Sequence, residues 1–199
     1  GFKSGASILE ISEAKALKAI SKYSVMKGGE EKNKKIFDAN LLLAQARIYR
    51  NKPLEALDGL NYVFANMRND KRIPLAKIYQ GLAYSKMGDY YRAEEVFTDV
   101  KKDDKLKKDY KKLLSIYYSE MLLQSGKKEA AADELEEAYA LNNNRKMRSR
   151  IAFLRGQILA NLDRNEEARE SFVTAYKNAN DFEFEVKSQI EIAKTFNGK

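Results

Sequence analysis

The chain has 199 residues, of which 44% are hydrophobic and 33% are charged, and its formal net charge at pH 7 is +8. It contains no cysteine and no histidine, which excludes disulfides, metal sites built on those residues, and cysteine or histidine catalysis. No stretch approaches the roughly 20 apolar residues of a membrane span.

The spacing of apolar residues predicts helices along most of the chain. A first helix is expected over residues 4–23, and a loop follows it at Gly28-Gly29 and the charged stretch beyond. Four helical hairpins come next, and a terminal helix is expected over residues 182–196. The hairpins are predicted over residues 34–68, 73–102, 106–142 and 146–179.

Turn residues divide each hairpin into two helices. Pro53 suits the first turn of a helix, where its missing N–H is not needed. Gly88 and Gly126 supply the tight turns of the second and third hairpins, and residues 163–165 make the fourth turn without glycine. The sequence therefore predicts antiparallel helix pairs joined by short turns.

Small residues recur in register with these hairpins. Four alanines repeat at nearly constant spacing: Ala56, Ala93, Ala131 and Ala168. Twelve residues before them come Ala44, Gly81, Ser119 and Gly156. Four residues after them come Leu60, Phe97, Leu135 and Phe172. Small residues at these offsets allow two helices to approach closely, and we expect each large residue to wedge against the next pair. The period is near the roughly 34 residues of a tetratricopeptide repeat (TPR).

This pattern predicts an all-α, right-handed TPR-like superhelix of about eleven helices that forms one solenoid over residues 1–199. The first helix has the offsets of a second-type helix of a hairpin, and the last helix has those of a first-type helix. These out-of-phase ends indicate a fragment of a longer array. The alternative is that residues 182–196 cap the array.

The first helices of TPR hairpins line a concave groove, which is the predicted binding surface for an extended peptide or a partner helix. The groove positions are Gln45, Ile48, Tyr49, Leu82, Ser85, Lys86, Glu120, Leu123, Gln124, Arg150, Gln157 and Asn161. This set mixes amide, hydroxyl, aromatic and charged groups. It lacks the basic clamp for C-terminal carboxylates, because apolar residues stand where that clamp needs lysine.

No residue set predicts catalysis, a cofactor or a metal. Asp133, Glu134, Glu136 and Glu137 flank packing positions of one helix, so we expect them to point outward into solvent. The lysine-rich segment 101–112 could touch phosphates, but interspersed aspartates weaken its field and disfavour nucleic-acid binding. We therefore predict no enzyme, no small-molecule substrate and protein partners only.

Four stretches carry a more specific resemblance. They are KALKAISKYS (15–24), DANLLLAQARIYRNKPLEALDGLNYVF (38–64), RSRIAFLRGQILANLDRNEEARESF (148–172) and ANDFEFEVKSQIEIAK (179–194). They resemble the tetratricopeptide lipoproteins of Bacteroidota needed for gliding motility and type IX secretion (the SprE/PorW group). The chain departs from that group at Ala44-Gln45, where the resemblance leads us to expect Gly-Lys. A divergent paralogue in another envelope complex therefore stays open.

The resemblance implies a periplasmic scaffold segment of an outer-membrane lipoprotein, with secretion-machinery components as partners. It implies membrane attachment only through a lipid anchor, which this chain does not contain. The alternative from the repeat pattern alone is a cytoplasmic TPR regulator or chaperone that binds peptides or, less readily, RNA.

Overall fold

The computed structural model describes residues 5–196, with side chains from Ile8 onward. The elements of the first half are α1 (Gly5–Tyr23), β1 (Met26–Lys27), β2 (Glu30–Glu31), α2 (Lys35–Tyr49), α3 (Pro53–Asn66), α4 (Ile73–Lys86) and α5 (Tyr90–Lys101). The elements of the second half are α6 (Lys108–Gln124), α7 (Lys128–Leu141), α8 (Arg145–Ala160), α9 (Asn165–Asn178) and α10 (Phe182–Lys194).

The prediction of an all-α fold is confirmed. The described residues contain ten helices, where about eleven were expected. The difference is one of counting, because one initial helix, four hairpins and one terminal helix already make ten segments. The expected start of the first helix, Ser4, lies outside the described residues.

A short β-hairpin occupies the segment predicted as a loop between α1 and α2. Met26 pairs with Glu31, and Lys27 pairs with Glu30. Gly28 and Gly29 form the turn with φ of 62° and 74°, the left-handed values that a tight two-residue hairpin turn requires. Sequence reasoning identified the two turn glycines but missed the strand pairing, because two residues per strand leave no alternating pattern to read.

The four helical hairpins turn in the same way. The residue at the turn has positive φ in each: Asn51 at 60°, Gly88 at 76°, Gly126 at 81° and Asp163 at 58°. The next residue's N–H donates to the carbonyl five residues earlier, at 2.8–3.0 Å, as in Lys52 to Arg47 and Asp89 to Tyr84. This is the Schellman arrangement that ends a helix on a left-handed residue. Asn51 and Asp163 adopt it without glycine because their short polar side chains tolerate that conformation.

The small residues of the repeat mark close helix approaches. Ala44, Ala56, Ala93, Ala131 and Ala168 are all fully buried. A Cβ atom placed on Gly81 would lie 2.6 Å from the ring of Phe97, and one on Gly156 would lie 2.7 Å from the ring of Phe172. The ring thus fills the space that the glycine leaves inside the same hairpin, whereas we expected it to wedge against the next pair.

The chain divides into two compact units, the first ending at Leu106 and the second beginning at Lys107. In the first unit α2 packs against α1, α3 and α4, and α4 packs against α5. Its core includes Phe37, Leu60 and Phe97. In the second unit, helices α6 to α10 pack in consecutive pairs around Met121 and Phe172.

Candidate functional site

The predicted groove residues of the first unit lie at the ends of α2 and α4. Tyr49 is 55% exposed, Gln45 is half-buried, and Lys86 is exposed. Ser85 is only 3% exposed, as is Ile48, and Leu82 is also buried, so these three do not contribute to the accessible surface. Several helices surround these positions, since α2 packs against α1, α3 and α4, and α4 packs against α3 and α5.

Leu42 belongs to the same surface, although the sequence pattern did not single it out. It is 43% exposed on α2. Leu42, Gln45 and Tyr49 follow one another at three- and four-residue steps, so they form one row along a helix face. That spacing was the available signal, but Leu42 lies inside a continuous apolar run that is typical of a core. We call these three residues the α2 row.

The second unit has a corresponding row on α8. Arg150, Gln157 and Asn161 are all exposed, and Leu154, 38% exposed, lies between them at the same helical steps. We call these four residues the α8 row. Leu154 was also missed by sequence reasoning, again because it stands in an apolar context. On α6, Glu120 is half-buried and accepts a hydrogen bond from the exposed Gln124 at 3.2 Å, and Leu123 is half-buried.

A cluster of ion pairs joins α2 to α1. Glu13 of α1 is 8% exposed and accepts hydrogen bonds from Arg47, at 3.1 Å, and from Arg50. Burial raises the pKa of Glu13, but the hydrogen bonds and charges of the two arginines outweigh it, so the pKa lies below its ordinary value. Arg50 also pairs with Glu10 at 2.9 Å. These contacts tie α2 to α1 through Arg47 and Arg50, which are not members of the α2 row.

One prediction about the acidic cluster on α7 is wrong. Asp133 and Glu136 are exposed as expected, and Glu136 pairs with Arg155 at 2.9 Å. Glu134, however, is only 6% exposed. It lies three residues after Ala131 and therefore on the packing side of the helix. The prediction considered only that Glu134 stands next to a packing residue in the sequence. Among the described residues no group of three acidic side chains is placed to hold a metal ion.

Within residues 5–196, every helix is too short or too polar to cross a lipid bilayer.

Comparison with known proteins identifies the architecture. No protein-family model matches the chain, and no curated protein matches it in sequence. A thermophilic TPR protein of Thermus thermophilus superposes with a TM-score of 0.64 at 15% identity, over 93% of this chain and 91% of that one. Residues 41 to the end of MamA from Desulfovibrio magneticus RS-1 superpose with a TM-score of 0.57 at 19% identity, over 80% of this chain and 92% of that one. These likenesses confirm the predicted TPR-like fold.

Proposed function

We propose that the chain is a non-catalytic scaffold that binds other proteins through the exposed faces of its first-type helices. The α2 row carries this proposal, because it places an exposed aromatic ring and an exposed leucine beside an amide on one rigid helix. Such a surface can hold an apolar anchor of a partner and orient its backbone.

The α8 row supports the same function with different chemistry. It joins the exposed guanidinium of Arg150 to the amides of Gln157 and Asn161, with Leu154 between them. The side-chain amide of Asn161 donates to the carbonyl of Gln157 at 2.9 Å, which holds it in place. Tyrosine and arginine are enriched among residues that dominate binding energy, so Tyr49 and Arg150 are the two residues we expect to matter most.

The side chains of this protein suit a binding role better than a catalytic one. The sequence has neither cysteine nor histidine. Among the carboxylates, Glu13 and Glu136 are held in place by arginine, which suits a structural role rather than acid–base work. A turnover assay that found activity abolished by substitution in either row would contradict the non-enzymatic proposal.

The more specific proposal is a periplasmic segment of an outer-membrane lipoprotein that supports type IX secretion or gliding, with secretion-machinery components as partners. It is supported by the resemblance of four stretches to the SprE/PorW group. It predicts that the complete open reading frame encodes a lipoprotein signal with its cysteine. A reading frame without one would favour the cytoplasmic regulator instead.

An affinity pull-down from envelope extract of the source organism, read by mass spectrometry, tests the proposal. We expect wild type to recover envelope proteins. The double variant Tyr49→Ala/Arg150→Ala should recover at least tenfold less of them. The matched control is Tyr91→Ala/Arg145→Ala, since both residues are exposed and lie outside the two rows. Equal losses in both variants would contradict the assignment of the rows. Recovery of cytoplasmic proteins alone would contradict the envelope role.

A further inference from the structure

A second candidate surface lies in the first unit, outside the α2 row. A cavity of about 620 Å³ is lined by the first turn of α2, the end of α3 and the loop that leads into α4. Its volume falls within the range of sites that enclose small ligands or several residues of a peptide. The lining combines basic and acidic side chains with the apolar Ala65 and Met67.

The acidic side chains of this cavity are already neutralised. Arg72 binds Asp70 through two nitrogens, at 2.8 and 2.7 Å, and binds Asp38 at 2.6 Å. Its guanidinium also lies over the ring of Phe37, 4.2 Å from the centroid. Glu30 pairs with Lys32 at 2.7 Å. Each of these carboxylates therefore already has a cationic partner.

The remaining acid, Glu31, is held by the β-hairpin and α3. It accepts hydrogen bonds from the hydroxyls of Ser24 and Tyr62, at 2.5 and 2.9 Å. It also accepts from the N–H groups of Val25 and Asn33, at 2.9 and 2.8 Å. Glu31 is thus a fixed part of the wall, which keeps the hairpin in position beside the cavity.

Four cations of the lining stay unpaired. Lys34, Lys35, Arg68 and Lys71 are exposed, and within the described residues none forms an ion pair or a side-chain hydrogen bond. Two of them still act on a nearby carboxylate. Arg68 adds to the effect of Lys32 in lowering the pKa of Glu30. Lys34 adds to the effect of Arg72 in lowering the pKa of Asp70.

Lys34 and Lys35 stand at the start of α2, and Lys71 stands just before α4. At the start of α2, Asn33 accepts a hydrogen bond from the N–H of Lys35 at 3.1 Å, and before α4, Asp70 accepts one from the N–H of Arg72 at 2.9 Å. The cationic side chains, and not free backbone N–H groups, are therefore the groups offered to an anion here.

We propose that this cavity binds an acidic segment of a protein partner, with the four unpaired cations receiving its carboxylates. The inference rests on the proposed protein-binding function and adds a second contact site to it. Lysine and arginine pair with carboxylates through charge-assisted hydrogen bonds, and the apolar lining residues Ala65 and Met67 can contact the aliphatic parts of the segment.

One feature favours an acidic peptide over a nucleic acid. In the part of the chain that the structure describes, no aromatic side chain lines the cavity, so it offers no ring on which a base could stack.

Binding of a fluorescein-labelled hexaglutamate peptide to the 199-residue chain, followed by polarisation in 50 mM salt, tests this inference. The informative variant is Lys35→Gln/Lys71→Gln. The matched control is Lys15→Gln/Lys18→Gln, which removes the same charge from exposed positions of α1. We expect the cavity variant to weaken binding at least tenfold and the control to change it less than twofold. Unlabelled hexaglutamine should not compete.

Three results would overturn the inference. They are no binding of hexaglutamate by wild type, equal weakening by the two double variants, and stronger competition by a six-nucleotide RNA than by unlabelled hexaglutamate. The substitutions of the Tyr49→Ala/Arg150→Ala variant used in the pull-down do not alter the lining of this cavity. If the row variant recovers as much protein as wild type while wild type binds hexaglutamate as expected, only the row assignment is rejected. If the row variant loses recovery but wild type does not bind hexaglutamate, only the cavity proposal is rejected.

Discussion

At Gly81 and Gly156 the absence of a side chain is what allows a phenylalanine ring to pack against the helix backbone. An added Cβ would stand 2.6 and 2.7 Å from the rings of Phe97 and Phe172, closer than carbon atoms can approach. Both rings are fully buried and surrounded by core residues, so they have little room to move. The sequence period identified these glycines as sites of close approach, but only the structure shows which ring faces them.

Gly81→Ala is therefore expected to destabilise the chain by about 1–3 kcal/mol, because overpacking exceeds the gain of up to about 1 kcal/mol in helix propensity. Urea unfolding followed by circular dichroism measures this change. Gly59→Ala is the matched control, since its Cβ would meet its nearest atom, Oδ1 of Asn40, only at 3.3 Å. A Gly81→Ala variant as stable as the Gly59→Ala variant would contradict the ring contact.

Glu31 links stability to pH. Burial raises the pKa of its carboxyl, but hydrogen bonds from Ser24, Val25, Asn33 and Tyr62 outweigh that effect and lower the pKa to about 2. Because the folded pKa lies below the unfolded value, the ionised group stabilises the fold above the unfolded value of 4.5. That contribution is lost as the pH falls from there towards 2.

Glu31→Gln should cost about 1–3 kcal/mol at pH 7, since hydrogen-bond donors lose their charged acceptor. The cost should shrink as the pH falls from about 4.5 towards about 2, where Glu31 itself becomes protonated. Urea titrations at four pH values across this range measure the difference between wild type and variant. A difference that does not change with pH would show that Glu31 keeps an ordinary pKa.

At the scale of the elements, the sequence predicted the order and type of the helices because apolar and small residues recur at helical spacing. Contacts between residues distant in the chain were not predictable. The β-hairpin depends on Tyr62, which lies 31 residues after Glu31, and no local pattern reports that contact. Of the predicted binding residues, Tyr49 and Arg150 are exposed, whereas Ser85 is buried by the packing of neighbouring helices.

Glu13 joins α1 to α2 through ion pairs with Arg47 and Arg50. We expect Glu13→Gln to cost about 1–3 kcal/mol, because it leaves Arg47 and Arg50 partly buried without their shared carboxylate. Glu10→Gln serves as the control, since the Glu10 side chain is 58% exposed and such pairs contribute at most about 1 kcal/mol. Hydrogen exchange should show faster opening of α1 in Glu13→Gln alone. Equal effects of the two substitutions would mean that the buried ion pairs of Glu13 stabilise the α1–α2 contact no more than the exposed pair of Glu10 does.

At the scale of the whole molecule, stability in a repeat array is expected to be the sum of contacts between neighbouring helices. Ala131 is fully buried where α7 packs on α6 and α8. Ala131→Leu should therefore cost about 1–3 kcal/mol through overpacking. The loss of hydrogen-exchange protection should be largest in α6, α7 and α8 and smallest in α10.

Ala130→Leu is the control for that experiment, because Ala130 is exposed on the same helix. It should leave protection unchanged. Similar loss in both variants, or no loss in Ala131→Leu, would contradict the repeat register assigned to the four alanines.

Each of the four hairpins has one turn residue in the left-handed conformation and one hydrogen bond across the turn. These turn residues are Asn51, Gly88, Gly126 and Asp163. The chain can therefore be cut and rejoined at equivalent points without changing the geometry of the joint. Excision of residues 52–88 would join Asn51 directly to Asp89, the residue that follows the turn in the next hairpin. Gene duplication or deletion in steps of one hairpin would lengthen or shorten such a protein while every turn stays intact.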